Sequence, residues 1–285
     1  MTQSHSDLVS TEWLAARLAG PGLVVLDASY NLPAAARDAA GEFAAAHIPG
    51  ARFLDLASLF DPGSPVPYAF PSPDQIAARL AGLGVGADDT IVIYDDSAIR
   101  TSARAWFVLT ASGRGKVAIL DGGLAKWRAE GRPLESGTPA VTPATPAAFT
   151  PTTRVRTKAQ MLANIDSKAE QVLDARSADR VYGSGIDPVH GGQNGRIPGA
   201  LNLPFSAVFN ADGTWKSPEE LRALFAAAGI DLARPITTTC GSGVTASVLL
   251  FALHLLGVDS AALYDGSWSE WSADPATPKA QGPDA

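Results

Sequence analysis

Cys240 is the only cysteine in 285 residues, and it lies in the stretch TTTCGSGVTAS, residues 237–247. A β-branched run precedes it and an apolar, helix-forming run follows, so the thiol is expected on a turn from a strand into a helix N-terminus. There the positive end of the helix and inward-pointing backbone N–H groups favour the thiolate, which is the nucleophilic form. Gly241 and Gly243 permit tight curvature without a Cβ. Ser242 and Thr245 add hydroxyl donors, and with Val244 these residues make a loop suited to an anion-binding nest around sulfur. Two other readings compete. A lone cysteine is commonly a buried packing residue, although packing is usually decided on element interiors and not on glycine-bracketed turns. A cysteine phosphatase shares the strand-loop-helix thiolate but needs a loop arginine to clamp phosphate, and residues 241–246 contain none.

The elements that must hold this turn come in two copies. LVVLDAS, HIPGARFLDL, TIVIYDD and AILDGGLAKW in the first half return in order as QVLDARS, RIPGALNLPF, PITTTCGSG and ALYDGSWSEW in the second. Asp27 and Asp174 are 147 positions apart, the two IPG turns 149, and the DG pairs at Asp121 and Asp265 144, which is the mark of a duplicated unit with small insertions. Each copy alternates short β-rich runs with helical patterns, two of which open on Ser-Pro, a cap followed by proline at the first helical position. That alternation predicts an α/β fold with a mainly parallel sheet flanked by helices in each copy. The expected boundaries are a first domain over residues 1–137, a Pro/Thr-rich linker over 138–157 and a second domain over 158–285 carrying Cys240. Asp27 and Asp174 recur at strand ends, so a structural hydrogen-bonding role is expected for both. Trp127, Trp268 and Trp271 are expected to pack their domain ends.

Twenty-nine acidic against 22 basic side chains give a net charge of −7, with no Lys/Arg cluster, which argues against nucleic acid as a partner. No apolar run reaches the roughly 20 residues of a membrane span. The first residues lack the basic start and apolar core of a secretory signal, and a lone thiol survives most easily in a reducing compartment, so a cytoplasmic location is expected. Four scattered histidines and one cysteine suggest no metal site.

From LVVLDASYNLP through HIPGA and LDGGLAKW to CGSGVTA and YDGSWSEW, the chain resembles the two-domain sulfurtransferases of the rhodanese superfamily, and within it the 3-mercaptopyruvate sulfurtransferases. The resemblance implies a tandem pair of rhodanese-like domains of which only the second is catalytic. The position in the first copy matching Cys240 is taken as Asp96, 144 residues earlier, and a carboxylate cannot accept sulfane sulfur. Thiosulfate-using relatives carry basic residues after the cysteine where this chain has Gly241 and Ser242, and a neutral loop suits a substrate with one carboxylate. The resemblance further implies a Ser, His and Asp set that positions charge at the thiol, matched here by Ser242, His47 and Asp38. Without it, His47 reads as a turn histidine and Asp38 as a helix-surface charge. Arg180 matches a substrate-carboxylate arginine. A second such arginine, usual before the second IPG turn, is missing from VYGSGIDPVHGGQNG; Arg196 stands as either its substitute or a turn residue facing solvent.

The implied reaction is ping-pong transfer. The Cys240 thiolate takes sulfur from 3-mercaptopyruvate, pyruvate leaves as its enolate, and a thiol or cyanide collects the sulfur from the persulfide. Thiosulfate as donor, or a persulfide carrier without rapid turnover, are the alternatives. No cofactor is implied. With no second cysteine, the partners expected are a small-molecule sulfur donor and an external thiol acceptor such as thioredoxin.

Overall fold

The computed structural model describes residues 7–18, 20–190 and 192–282. The chain divides into two units, one of residues 1–60, 71–152 and 210–215, the other of residues 61–70, 153–209 and 216–285. Unit 1 contains β1 (Leu8–Val9), α1 (Thr11–Ala15), β2 (Leu23–Asp27), α2 (Ala39–Ala45), β3 (Arg52–Phe53), α3 (Pro73–Gly82), β4 (Thr90–Tyr94), α4 (Thr101–Ala111), β5 (Val117–Leu120) and α5 (Gly123–Ala129). Unit 2 contains β6 (Val155–Arg156), α6 (Lys158–Ser167), β7 (Gln171–Asp174), α7 (Ala178–Tyr182), β8 (Leu201–Asn202), α8 (Pro218–Ala227), β9 (Ile236–Thr239), α9 (Ala246–Leu255), β10 (Ala262–Tyr264) and α10 (Ser267–Ala273). Residues 138–154, the Pro/Thr-rich stretch, hold no helix or strand.

Each unit has a five-stranded sheet in the same order, β1-β5-β4-β2-β3 and β6-β10-β9-β7-β8, and every ladder pairing is parallel. Parallel strands need helical crossovers that cover the sheet, so the central strands are buried on both faces. β4 and β9 accordingly read as apolar or β-branched runs, TIVIY and ITTT, with Ile236 and all three threonines of β9 closed to solvent. The Ser-Pro helices start as expected. Ser72 caps α3 and Ser217 caps α8, each in a reciprocal capping box with Gln75 or Glu220 and a proline at the first position.

The register of the two sheets corrects one expectation. Asp27 lies opposite Tyr94 and Asp174 opposite Thr239, so the residue following Tyr94 is the counterpart of Cys240. Matching loop bonds agree: Leu124 N donates to Asp95 O where Trp268 N donates to Cys240 O. The equivalent of Cys240 is therefore Asp95 and not Asp96, because the β4–β9 spacing is one residue longer than the spacing of the DG pairs.

Asp27 and Asp174 each close the turn that follows their strand, accepting from Ser29 N at 2.8 Å and Arg176 N at 3.0 Å. Trp127, Trp268 and Trp271 are buried, and each indole N–H donates to a backbone carbonyl, of Pro133, Gln193 and Pro278 respectively. The cores form around them, Trp127 with Val25, Val92 and Leu120 in unit 1, Trp268 and Trp271 with Met161, Val172 and Ile197 in unit 2.

Candidate active site

β9 ends at Thr239, and Cys240 is the first residue of the loop that leads into α9. α9 is apolar on all sides and its residues Ala246–Leu253 are buried, so the helix is held rigidly through the centre of unit 2 with its N-terminus at the loop. Gly243 has φ 78°, the left-handed region, and makes the bend that a residue with a Cβ would strain. Gly241 has no such φ; its lack of a side chain is used by the ring of His190, which fills the space a Cβ there would occupy.

The back of the loop is fixed by α10. Trp268 N donates to Cys240 O at 2.9 Å, and Ser269 donates to Gly241 O from both its N–H, at 2.9 Å, and its hydroxyl, at 2.6 Å. Ser267, in the left-handed region at φ 49°, donates its hydroxyl to Tyr264 O at 2.8 Å and accepts from Cys240 N at 3.2 Å. The equivalent residue of unit 1 is Gly123, which takes the same backbone region at φ 58° without strain. A serine at such a position costs about 1–3 kcal/mol, and here it supplies the hydroxyl that holds the Cys240 amide. Ser247 Oγ bonds Gly243 O at 2.9 Å.

On its other side the loop is uncommitted. Cys240 is 1% exposed and its thiol is free. The N–H groups of Gly241, Ser242, Val244 and Thr245 and the hydroxyls of Ser242 and Thr245 have no acceptor or donor among the described residues. Buried or half-buried amides normally find partners, so a run of free ones marks a place for an anion. Unit 1 shows that anion built in. The Asp95 carboxylate, at the position of the thiol, accepts from Ser97 N at 2.9 Å and Ser102 N at 2.8 Å. By register these amides correspond to that of Ser242, one of the free ones, and that of Ser247, which here donates to Val244 O at 3.1 Å. Burial raises the Asp95 pKa, with the Ser102 and Ser97 bonds and then the Arg100 charge opposing it. Asp96, next along, faces cations instead, at 3.2 Å from Arg37 and 3.0 Å from Arg128.

Arg180 projects from α7 and is organised by Asp187, a residue the sequence reading passed over. Asp187 is fully buried and receives Arg180 through Nε at 3.1 Å and Nη2 at 2.8 Å, with Arg176 Nη1 at 3.6 Å. It also accepts from Val189 N and His190 N at 2.8 and 3.3 Å, which shapes the turn after it. Burial alone would raise the Asp187 pKa, but the Arg180 bond and charge and the two amides together hold it below the ordinary carboxylate value. Arg180 Nη1 has no partner among the described residues, and Nη2 donates to His190 Nδ1 at 3.1 Å, so Arg180, His190 and the Cys240 loop form one continuous group. The only sequence signal for this turn was the Asp-Pro pair at 187 and 188, a turn former.

The remaining expected residues are held as follows. Arg196 is 1% exposed; its guanidinium donates to Gly282 O and lies 5.3 Å over the Tyr182 ring, while its main chain bridges Ala280. It fastens the chain end to unit 2. His47 and Asp38 belong to unit 1. His47 is fully buried, stacked on Phe43 at 4.1 Å with Nδ1 at 2.8 Å from Phe43 O, and its Nε2 has no partner among the described residues. Asp38 is exposed at the head of α2 and makes no bond to His47. Among the described residues no helix is long and apolar enough to cross a membrane.

Comparison with known proteins places this loop in a wider set. The rhodanese-like domain model matches residues 10–130 and again 157–274. The human 3-mercaptopyruvate sulfurtransferase is 40% identical over 270 residues, spanning 93% of this chain and 91% of its own. The chicken thiosulfate sulfurtransferase is 40% identical over 270 residues, spanning 93% and 92%. Among solved structures, the 3-mercaptopyruvate sulfurtransferase SseA from Escherichia coli superposes with a TM-score of 0.83 at 36% identity, covering 93% of this chain and 100% of its own. With the duplicated parallel sheets, a thiol at the second strand-to-helix loop and a family match over both halves, the chain belongs to the rhodanese-like family as a tandem pair of rhodanese domains.

Proposed function

We propose that the chain is a sulfurtransferase that takes sulfur from 3-mercaptopyruvate onto Cys240 as a persulfide and passes it to a thiol or to cyanide. The observation that carries this reading is the loop itself: one thiol beside four backbone N–H groups and two hydroxyls that nothing else among the described residues uses. Such donors stabilise an anionic sulfur before attack and an anionic persulfide after it, with no reorganisation between the two. Ser242 and Thr245 supply the hydroxyls. Arg180, whose Nη1 has no partner among the described residues, takes the substrate carboxylate, whereas Arg196 is engaged with Gly282. His47 and Asp38 complete the set that the family pattern names with Ser242; alanine at either is expected to slow sulfur loading without removing it. The Asp95 carboxylate holds the equivalent loop of the first domain permanently, which leaves catalysis to the second.

Relatives named for 3-mercaptopyruvate and for thiosulfate occur at similar identity, so the donor is decided by the loop. It carries no cation at Gly241 or Ser242, and a doubly charged thiosulfate gains less there than a mono-carboxylate held by Arg180. The single cysteine leaves no internal thiol to receive the sulfur, which supports an external acceptor of the thioredoxin kind and a reducing, cytoplasmic setting.

Intact mass after incubation with 3-mercaptopyruvate tests the reading. A gain of one sulfur atom in the wild type, absent in Cys240→Ser, is expected, followed by many turnovers with cyanide. No gain with either 3-mercaptopyruvate or thiosulfate overturns it, and a single turnover would make the protein a carrier.

A further inference from the structure

His190 is the titratable ring that lies against the Cys240 loop. A Cβ on Gly241 would stand 2.6 Å from His190 Nε2 and 2.8 Å from Nδ1, far inside contact distance, so the ring edge takes the place of a side chain one residue from the thiol. Its orientation is fixed. Asp187 accepts from the His190 N–H, and Arg180 Nη2 reaches Nδ1 at 3.1 Å. A guanidinium only donates, so Nδ1 is the acceptor and the neutral ring carries its proton on Nε2. That N–H has no acceptor among the described residues, and the side chain is half-buried.

We propose that His190 recognises the ketone of a 2-oxo thiol donor, its Nε2–H donating to the oxygen that becomes an enolate as the carbon–sulfur bond breaks. The inference rests on the sulfur-transfer reading above and adds to it the group that selects the donor. In the step itself the Cys240 Sγ–S bond forms and the bond from that sulfur to the donor's methylene breaks. The electron pair passes through the methylene carbon to the ketone oxygen, and the donor's thiol proton stays on the outer sulfur of the persulfide. The enolate then takes a proton from solvent at carbon. The whole is redox-balanced within the pair, with no further oxidant or reductant. Arg180 Nη1 and His190 Nε2–H thus offer the carboxylate and the adjacent ketone one donor each, a pairing that thiosulfate, with neither group, does not use. A second proton on the ring would set Nδ1–H against the Arg180 N–H. Burial first, then Arg180 and with it Arg176, keep the His190 pKa below its ordinary value against the pull of Asp187, and the Cys240 loop adds no basic side chain.

The experiment compares two reagents on the intact chain: the rate of sulfur loading from 3-mercaptopyruvate by quenched-flow mass analysis, and the rate of Cys240 modification by methyl methanethiosulfonate, which has no ketone. His190→Ala is expected to lose about 10²-fold in the first, the usual effect of one oxyanion donor, with the second changed less than about threefold. His190→Gln, which keeps an N–H donor, is expected to recover part of the loss. Wild-type loading should hold through the ordinary histidine range and fall only below it. Equal losses with both reagents would show the ring merely props the loop, and no loss with either would show it idle; both overturn the proposal. Wild type that reacts with methyl methanethiosulfonate but loads from neither 3-mercaptopyruvate nor thiosulfate would instead overturn the sulfur-transfer reading beneath it.

Discussion

Asp187 is the residue on which the loop-facing turn depends, because one buried carboxylate takes two hydrogen-bonding nitrogens of Arg180 and two amides and lies 3.6 Å from Arg176, whose closer partner is Asp174 at 2.7 Å. Its folded pKa lies below the ordinary carboxylate value, so the stability it confers is present above that value and is lost as pH falls through the lowered one. Asp187→Asn keeps the shape and removes the charge, leaving Arg180 and the buried Arg176 facing a neutral amide. Breaking such a buried pair costs about 3 kcal/mol. Urea unfolding is expected to show a loss near that size at neutral pH that narrows in acid; a difference under about 1 kcal/mol, or one independent of pH, would contradict the assignment. The missed importance of Asp187 has a plain cause. An aspartate before proline in a polar stretch has the look of a solvated turn, and only the approach of Arg176 and Arg180 makes it a buried anchor.

Among the elements, helix starts were the most readable. Ser-Pro followed by Gln75 three residues after Ser72 specifies a capping box, and the structure has both reciprocal bonds, Gln75 N to Ser72 Oγ at 3.2 Å and Ser72 N to Gln75 Oε1 at 2.7 Å. Ser72→Ala is expected to destabilise unit 1 by about 1 kcal/mol, read from its unfolding midpoint in urea with an unchanged slope; Ser72→Gly should cost only a few tenths of that. The helix after Cys240 was also legible, since an apolar run ending at Gly257, φ 81°, has a start and a stop. Its first residue is Ala246 rather than one nearer Gly243, because the loop uses the intervening residues for its bend. The sheet was legible as parallel, and its order followed from no local signal, since the pairing partners are distant in sequence.

At the scale of the whole molecule the duplication extends to segments outside the contiguous halves. In unit 1, Asp121 Oδ1 accepts from Trp215 N at 2.9 Å; in unit 2, Asp265 Oδ2 accepts from Phe70 N at 2.6 Å. The two repeated DG pairs are thus the acceptors for the segments 210–215 and 61–70 that complete each unit. Asp265→Ala is expected to lower the hydrogen-exchange protection of the Phe70 amide by about tenfold, in line with losing one buried charge-assisted bond. The β6–β10 sheet should keep its protection, and Asp121→Ala should do the same to Trp215. An unchanged Phe70 amide would show that other contacts hold the segment.

By itself the sequence determined the doubled α/β unit, the turn that presents Cys240 and the neutrality of its loop, because these depend on local pattern: alternation of short strands and helices, caps, glycines and the absence of charge. Only the tertiary structure decided that Asp95 is the counterpart of Cys240, since that is a matter of strand register, in which a one-residue difference is invisible to spacing counts. It also decided that His190 lies on Gly241 and that Arg196 closes on the chain end. Those side chains are long or flexible and sit in irregular backbone, so their direction is set by the charges and packing of residues distant in sequence, which no local pattern encodes.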